Sequence, residues 1–369
     1  MPMESFAPHA REEALRLPLE ELISRTDRDL EARDLFRQAG ASALYGARWQ
    51  AAGAKPAQLH GRAALCHLPF IDGDDLIAVA ASGASIRKAL LCRPRIWVTS
   101  LGGPGGARKW LPLTLDDVAH WFLRSQRVLE LAARSDDGRA PTLCLAMNEP
   151  MPRVANAVPY FWERVDYLAG SRRFEFIIGA ISMLWRNHWD RFALQKQPRW
   201  LAGSVADARI LAKELGDDAP RLMARPALGL FWGEPLDGAN GADGMGARAD
   251  LQATFGLEES FSLYFSAECR EMYAECPAHA GLHLWMDGAI HEILPTGGEP
   301  LFVDQASPGT EGEYVVTTFA EALPLVRYRT GDLIRVVGIE PCACGITHPR
   351  VRFLGRLGTP SPAPEPPER

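Results

Sequence analysis

Soft metal ligands lie in two clusters towards the C-terminal end of the chain. The first cluster holds Cys276, His279 and His283, and the second is the Cys342-Ala-Cys344 pair. Structural zinc sites take four thiolate or imidazole ligands, and a Cys-x-Cys pair presents two sulfurs on one tight turn. The total of seven cysteines is odd, which indicates a metal site rather than a disulfide framework. Reduced cysteines without a metal are the alternative, and the pattern leaves open which histidine is a ligand.

A glycine-rich segment and three short motifs hold the other residue types that do chemistry. The segment runs from Thr99 to Lys109 and ends in two cations, Arg108 and Lys109. Glycines let a backbone close around phosphate groups, although a plain turn between a strand and a helix has the same composition. The three motifs are Tyr264-Phe-Ser-Ala-Glu268, Pro324-Leu-Val-Arg-Tyr-Arg-Thr-Gly-Asp332 and Leu354-Gly-Arg356.

Taken with upstream motifs, these segments resemble the acyl-adenylating (AMP-binding) enzymes, and specifically their phenylacetate–coenzyme A ligase-like branch. The Thr99–Lys109 segment stands at the place of the family's phosphate loop. The other upstream motifs are Leu68-Pro-Phe70, Asp75-Leu76 and the adenine-type turn Gly233-Glu-Pro235. One such motif has little specificity, whereas several in the family's order, over residues 15–356, are specific.

The resemblance implies a ligase that activates a carboxylic acid, with an aromatic acid as the expected substrate. ATP and the acid would form acyl-AMP and pyrophosphate, and a coenzyme A thioester or an amide would follow. Because this reaction brings two anions together, it needs a metal ion, backbone N–H groups and a cation near the phosphates. The implied cofactors are ATP or AMP, Mg²⁺, structural Zn²⁺ and coenzyme A.

The resemblance also implies roles for individual residues. Glu268 corresponds to the family's magnesium-side carboxylate, and Lys109 corresponds to the cation of its phosphate loop. These two are the expected catalytic residues. The expected nucleotide-binding residues are Ser100, Gly233, Glu234, Pro235, Tyr264, Asp332 and Arg356. The family's metal histidine stands in Gly-Leu-His. The expected metal ligands are therefore Cys276, His283, Cys342 and Cys344, with His279 as the alternative histidine.

The sequence departs from the family's pattern in two places. Phe265 and Ala267 replace a glycine and a hydroxyl residue ahead of Glu268, and the phosphate loop has fewer hydroxyls. After Arg356 the chain continues as Leu-Gly-Thr-Pro-Ser-Pro, where the family has a hinge acid and a lysine-bearing domain. We therefore expect slow adenylation. Two alternatives are a catalytically impaired homologue that binds a nucleotide or acyl-adenylate, and one subunit of a split ligase.

The elements that position these residues follow from apolar periodicity. Residues 11–40 predict one amphipathic helix ending at Gly40, and Thr114 is the predicted N-cap of a later helix. Between residues 142 and 233, strand-like and helix-like runs alternate, which is typical of an α/β fold with a largely parallel sheet. From Ser260 onward, short apolar runs between turn residues predict mostly strands.

The expected fold is α/β, with layered, mostly parallel sheets flanked by helices and a small β subdomain. It corresponds to the N-terminal body of an adenylate-forming enzyme. We expect residues 1–258 to form nucleotide- and acyl-binding α/β subdomains. Residues 259–358 would form a β-rich subdomain with the adenylate motifs and the zinc site, and residues 359–369 a disordered proline-rich tail.

Charge and composition limit the class of partner. The chain has 369 residues, of which 47% are hydrophobic and 23% charged, with a net charge of −6. It lacks the bulk positive charge that drives sequence-independent binding to nucleic acid or membrane surfaces. Because no apolar run is long enough to span a bilayer and no signal core is readable, we expect a cytoplasmic protein. The expected partner is a small-molecule carboxylic acid; a lysine-bearing domain, a carrier protein and a homodimer stay open.

Overall fold

The protein is described here from a computed structural model. The structure describes residues 13–81, 90–94, 96–101, 108–132, 142–146, 174–178, 198–224, 227–237 and 246–358. The predicted tail at residues 359–369 and the middle of the glycine-rich segment, residues 102–107, lie outside the described residues.

Helices and strands alternate in the first part of the chain, and strands dominate the last part. The helices are α1 (Leu19–Ala32), α2 (Leu35–Gly40), α3 (Gly46–Ala51), α4 (Gly73–Ala81), α5 (Leu115–Ala132), α6 (Val205–Leu215) and α7 (Ala247–Phe255). Short 3-10 segments are Pro56–Gln58, Arg62–His67, Gly216–Arg221 and Val303–Gln305. The strands are β1 (Ile96–Leu101), β2 (Arg108–Leu113), β3 (Thr142–Ala146), β4 (Phe174–Ile178), β5 (Trp200–Ser204), β6 (Leu228–Trp232), β7 (Glu259–Ser266), β8 (Glu271–Glu275), β9 (Leu282–His283), β10 (Ala289–Leu294), β11 (Leu301–Phe302), β12 (Glu311–Thr318), β13 (Tyr328–Gly338) and β14 (Arg350–Arg356).

The N-terminal helical region is interrupted, so the prediction of one continuous helix over residues 11–40 is wrong. Helix α1 begins after Pro18, whose ring fixes φ and removes a hydrogen-bond donor. Asp34 adopts a φ of 49°, in the left-handed region, and this separates α1 from α2. Helix α2 ends at Gly40, as the pattern predicted.

The chain divides into two compact units. The first unit consists of Met1–Trp121, Ser266–Glu271 and His283–Arg352, and the second of Phe122–Phe265, Met272–Leu282 and Phe353–Arg369. In the first unit, antiparallel strands follow the order β11-β10-β12-β13, with β14 beside β13. Along β13 buried residues alternate with more exposed ones, which places Tyr328 and Asp332 on the same buried face.

The second unit holds a parallel sheet in the order β4-β3-β5-β6-β7. Strands β5 and β6 are buried almost along their whole length, as expected for central strands of a parallel sheet. Helices α6 and α7 contribute Leu211 and Phe255 to an apolar core with Leu201 and Phe231. The predicted α/β fold is confirmed, and so is the predicted change to a strand-rich region beyond Ser260.

Within the described ranges, we find no helix with the length and hydrophobicity needed to cross a bilayer.

Candidate active site

Lys109 lies on the buried face of β2. It shares this face with Leu111 and Leu113, which are also buried, whereas the intervening Trp110 is 46% exposed. Successive side chains of a strand point to opposite faces, so the order Lys-Trp-Leu-Pro-Leu carries the lysine inward with the leucines. In the antiparallel ladder with β1, Lys109 pairs with Ser100, the expected phosphate-binding serine.

Glu268 lies in the turn that follows β7. The turn is closed by the Arg270 amide, which donates a 2.8 Å hydrogen bond to the Ser266 carbonyl. The Glu268 carboxylate accepts a hydrogen bond from the Lys109 ammonium, with 2.9 Å between Oε1 and Nζ, and the two side chains are only 11% and 9% exposed. The Tyr328 hydroxyl lies 3.4 Å from the same Nζ. The structure thus brings the two expected catalytic residues into one buried ion pair.

The Arg270 side chain fixes the surroundings of this pair. Its guanidinium donates hydrogen bonds to the carbonyls of Pro112 and Leu323, and it lies 3.8 Å from the Asp117 carboxylate. Asp117 and Thr114 exchange side-chain-to-amide hydrogen bonds at the start of α5, which confirms Thr114 as the predicted N-cap. The turn of Glu268 and the strand of Lys109 are therefore both tied to the start of α5.

Sequence reasoning missed a second buried ion pair, which joins Arg327 to Glu292. The Arg327 guanidinium donates to both carboxylate oxygens of Glu292, at 2.8 and 3.2 Å, and to the Leu68 carbonyl at 2.7 Å. It also lies over the Phe70 ring, 4.0 Å from the ring centre. The Ile71 amide donates a hydrogen bond to the Arg327 carbonyl, and the Ile71 carbonyl accepts one from the Arg329 amide. The Leu68-Pro-Phe70 motif is thus bound directly to the motif that ends in Asp332.

Arg327 adopts a φ of 53°, which is rare for a residue with a side chain. Neither this backbone conformation nor the Glu292 contact, 35 residues away, has a local signal in the sequence. The sequence signal that could have indicated a buried ion pair was the repeated arginine in Arg-Tyr-Arg. The second of these arginines, Arg329, forms a different ion pair, with Glu313.

Asp332, the expected ribose ligand, is buried in the middle of β13. It follows Gly331, whose φ of 76° bends the strand, and its amide donates a 3.1 Å hydrogen bond to the Thr330 hydroxyl oxygen. The Gly331 amide donates to the Glu313 carboxylate at 3.1 Å. The bend gives this segment a fixed conformation within the first unit.

The expected adenine turn, Gly233-Glu-Pro235, follows β6 in the second unit. Gly233 has a φ of 90°, and a side chain there would approach Ser204, the last residue of β5. The turn therefore lies at the carboxyl ends of two adjacent parallel strands, which is where open α/β sheets bind ligands. Glu234 is half-exposed and forms a 2.9 Å ion pair with Arg209 of α6.

The two remaining expected nucleotide ligands also belong to the second unit. Tyr264 is buried in β7, where its ring stacks on Tyr273 and contacts Phe353, with centroid distances of 5.7 and 5.6 Å. Arg356 is the last residue of β14 and is exposed. Tyr264 thus already carries one stacked ring, so an adenine would have to use another part of its surface.

The four expected metal ligands lie together. Their ligand atoms all lie within 4.8 Å of one another, and the Cys344 sulfur is 3.6 Å from Nε2 of His283. The Cys342–Ile346 turn is closed by backbone hydrogen bonds and by Gly345, which has a φ of 84°. Three sulfurs and one imidazole form the ligand set of a closed structural zinc site.

His279, the alternative histidine, has other partners. Its ring lies 3.0 Å from the Glu259 carboxylate and 3.6 Å from that of Glu275, and Arg248 also contacts it. The hydrogen bond with Glu275 raises the pKa of His279 above its ordinary value, and the other acid adds to this. His279 is therefore part of an ion-pair network, while His283 faces the three cysteines.

The fold is that of the adenylate-forming enzymes. A 2-hydroxyisobutyryl-CoA ligase, solved with 2-HIB-AMP and CoA, superposes with a TM-score of 0.75 at 17% sequence identity, over 95% of this chain and 72% of that one. AtGH3.15 acyl acid amido synthetase, solved with 2,4-DB, superposes with a TM-score of 0.65 at 15% identity, over 93% and 69% of the two chains. At these identities the likeness shows the shared fold.

Sequence comparison finds relatives of higher identity than the solved structures, and they are phenylacetate–coenzyme A ligases. A phenylacetate–coenzyme A ligase of Thermus thermophilus is 40% identical over 105 residues, which are 28% of this chain and 21% of that protein. The ligase of the same name from Escherichia coli is 34% identical over 131 residues, 34% and 27% of the two proteins. The matched segments thus span about a quarter of these relatives. No family model matches the chain. The resemblance to phenylacetate–coenzyme A ligases is confirmed.

Proposed function

We propose that this protein activates a carboxylic acid with ATP, forming acyl-AMP and releasing pyrophosphate. The observation that carries the proposal is the buried Lys109–Glu268 pair, in which residues 159 positions apart meet at 2.9 Å. The fold is shared with a ligase that was solved with an acyl-AMP, and the sequence resembles phenylacetate–coenzyme A ligases. A cation and a carboxylate in one water-poor site are the groups that this reaction requires.

The chemistry assigns complementary tasks to the pair. Attack of a carboxylate on the α-phosphate brings two anions together, so negative charge has to be neutralised where it accumulates. Lys109 would donate hydrogen bonds to the departing phosphates. Glu268 would hold Mg²⁺, which as a hard cation prefers carboxylate oxygens and phosphates, and which supplies charge neutralisation when bound. Ser100, opposite Lys109 in the ladder, is the proposed hydroxyl at the same phosphates.

The proposed nucleotide contacts follow from the positions of the remaining residues. Asp332, buried and held by its bent strand, would accept hydrogen bonds from the ribose hydroxyls. Gly233, Glu234 and Pro235 would line the adenine, where the positive φ of Gly233 lets the backbone approach a ring. Tyr264 and Arg356 complete the proposed set.

We propose an aromatic acid as substrate, with transfer to coenzyme A or to an amine as the second step. The relatives named phenylacetate–coenzyme A ligase support the aromatic acid and the thioester. An amide product is the alternative, supported only by the fold shared with an acyl acid amido synthetase.

We also propose that Cys276, His283, Cys342 and Cys344 bind a structural zinc ion. Their compact arrangement and their burial fit an ion that holds loops together and has no open coordination position. Purified protein should carry about one equivalent of zinc, and Cys344→Ser should lower both metal content and melting temperature. Cys66→Ser is the control, because Cys66 is exposed and lies outside the group. A metal-free protein with unchanged melting would contradict the site.

The activity is tested by ATP–pyrophosphate exchange with a panel of aryl acids. We expect acid-dependent exchange and an acyl-AMP detectable by mass spectrometry, both lowered in Asp332→Ala. Glu311→Ala is a matched control, since this acid lies in the neighbouring strand β12 and forms an exposed pair with Arg335. Nucleotide binding without exchange would favour a binding homologue. No binding at millimolar ATP with Mg²⁺ would contradict the proposal.

A further inference from the structure

Lys109 and Glu268 neutralise each other in the described structure. The ammonium is 2.9 Å from the carboxylate and 3.4 Å from the Tyr328 hydroxyl. It also lies against Gly73 at the start of α4, where a Cβ atom would be 2.8 Å from Nζ. The bare backbone of Gly73 therefore leaves the space that the ammonium occupies.

This arrangement makes each charge an obstacle to the other's ligand. A phosphate oxygen that approaches the Lys109 ammonium is repelled by the Glu268 carboxylate, which already occupies a position beside Nζ. A divalent cation that approaches Glu268 is repelled by the ammonium in the same way. Because both side chains are about nine-tenths buried, water screens these repulsions weakly. Either ligand alone must pull the two buried charges of the ion pair apart, which is costly in a site with little water.

We propose that the Lys109–Glu268 ion pair is an internal lock on the phosphate site, which a polyphosphate and a divalent cation open together. The inference rests on the proposed function, because that function supplies the two ligands. Tyr328 acts as a positioning residue that keeps hold of the ammonium when it leaves the carboxylate. Binding of the two ligands is then coupled: each one frees the residue that the other needs.

The decisive measurement is the calorimetric affinity for inorganic pyrophosphate without metal. Glu268→Gln removes the competing charge, so pyrophosphate should bind more tightly by about tenfold, a typical size for coupling between sites. The gain should vanish in the double variant with Lys109→Met. Asp304→Asn is the matched control, because Asp304 is a buried acid of the same unit paired with Arg62 at 2.7 Å. This control should keep the affinity of the unaltered protein.

An unchanged or weaker affinity in Glu268→Gln would overturn the lock. If this variant does not fold, Glu268→Asp decides, because its shorter side chain loosens the pair and should give a smaller gain. In the unaltered protein, saturating Mg²⁺ should tighten pyrophosphate binding by about tenfold, and no change would also overturn the proposal.

The outcomes separate the lock from the proposed function. Acid-dependent exchange in the unaltered protein, together with an unchanged pyrophosphate affinity in Glu268→Gln, would support the proposed function and reject the lock. A tightened affinity without any exchange would establish the locked anion site and reject the ligase activity.

Discussion

Two buried ion pairs of the first unit differ in the kind of cation and in the contacts that hold that cation. Arg327 and Glu292 are 3% and 4% exposed, and the guanidinium has a bidentate partner, a backbone carbonyl and an aromatic ring. Lys109 and Glu268 meet through one carboxylate oxygen, with a longer contact to Tyr328. A guanidinium is a rigid fork of donors, whereas an ammonium is a point charge on a flexible stem.

The difference separates a structural pair from a pair suited to ligands. Arg327 joins strand β10, strand β13 and the Leu68-Pro-Phe70 motif, so moving it would break several contacts at once. Lys109 can exchange one oxygen acceptor for another without disturbing the backbone. Burial raises the pKa of Glu292 although Arg327 opposes this, because an ionised carboxylate is costly where little water reaches it.

The largest expected effect is on stability, from breaking the structural pair. Glu292→Gln leaves the Arg327 charge buried and uncompensated, and the free energy of unfolding should fall by about 3–5 kcal/mol. Urea denaturation measures this. Glu311→Gln, in the exposed pair with Arg335, should change it by less than about 1 kcal/mol. A loss from Glu292→Gln as small as the control's would remove the distinction between the two buried pairs.

The next effect is on activity, from breaking the ligand pair. Lys109→Ala should lower the exchange rate by about 10²–10³, the cost of losing one preorganised donor to the transition state. Arg62→Met is the control, because it breaks the buried pair with Asp304 and should reduce stability while the exchange rate is kept. Equal rates in Lys109→Ala and the unaltered protein would place Lys109 among the structural residues.

A smaller effect concerns nucleotide affinity. Asp332→Ala should weaken AMP binding by about 1.5–3 kcal/mol, the size of a hydrogen bond to a charged acceptor. The melting temperature should change little more than in Glu311→Ala. Calorimetry with AMP checks the first point and thermal unfolding the second. Unchanged AMP affinity would leave Asp332 with a role in the strand bend alone.

The smallest effect is the pH dependence of a half-exposed pair, Arg48–Asp75, with 2.7 Å between its atoms Nη1 and Oδ2. Burial opposes ionisation of Asp75, but hydrogen bonds from Arg48 and from the Asp72 amide outweigh it and lower its pKa below 3.8. The pair therefore adds stability above pH 3.8, and this contribution is lost as the pH falls through the lowered value. Asp75→Asn should cost less than about 1 kcal/mol at pH 7 and less still at pH 3. A cost that grows in acid would have the wrong sign.

Local patterns predicted much of the fold and some of the candidate site. The alternation between residues 142 and 233 gave the parallel sheet, and the capping pattern gave Thr114. The helix over residues 11–40 was predicted as continuous, because the pattern ignored the effect of Pro18 and a left-handed Asp34. These are backbone effects that hydrophobic periodicity does not contain.

The motifs indicated Lys109 and Glu268 as separate site residues, but they did not predict that the two form an ion pair. That pairing depends on tertiary folding, as do the left-handed backbone of Arg327 and its contact with Glu292. In contrast, the prediction of His283 over His279 came from the family resemblance, because the family's metal histidine stands in Gly-Leu-His.

The discontinuous first unit has a consequence for the order of folding. The Tyr45 hydroxyl donates to the Pro324 carbonyl and accepts from the Val326 amide, so a buried contact joins residues about 280 positions apart. During synthesis, the residues up to Trp121 leave the ribosome long before the strands that cover them. The intervening parallel sheet forms from nearer contacts, whereas joining the two ends of the long loop costs more chain entropy. The Lys109–Glu268 pair joins residues 159 positions apart in the same unit, so we expect it to form after the local contacts.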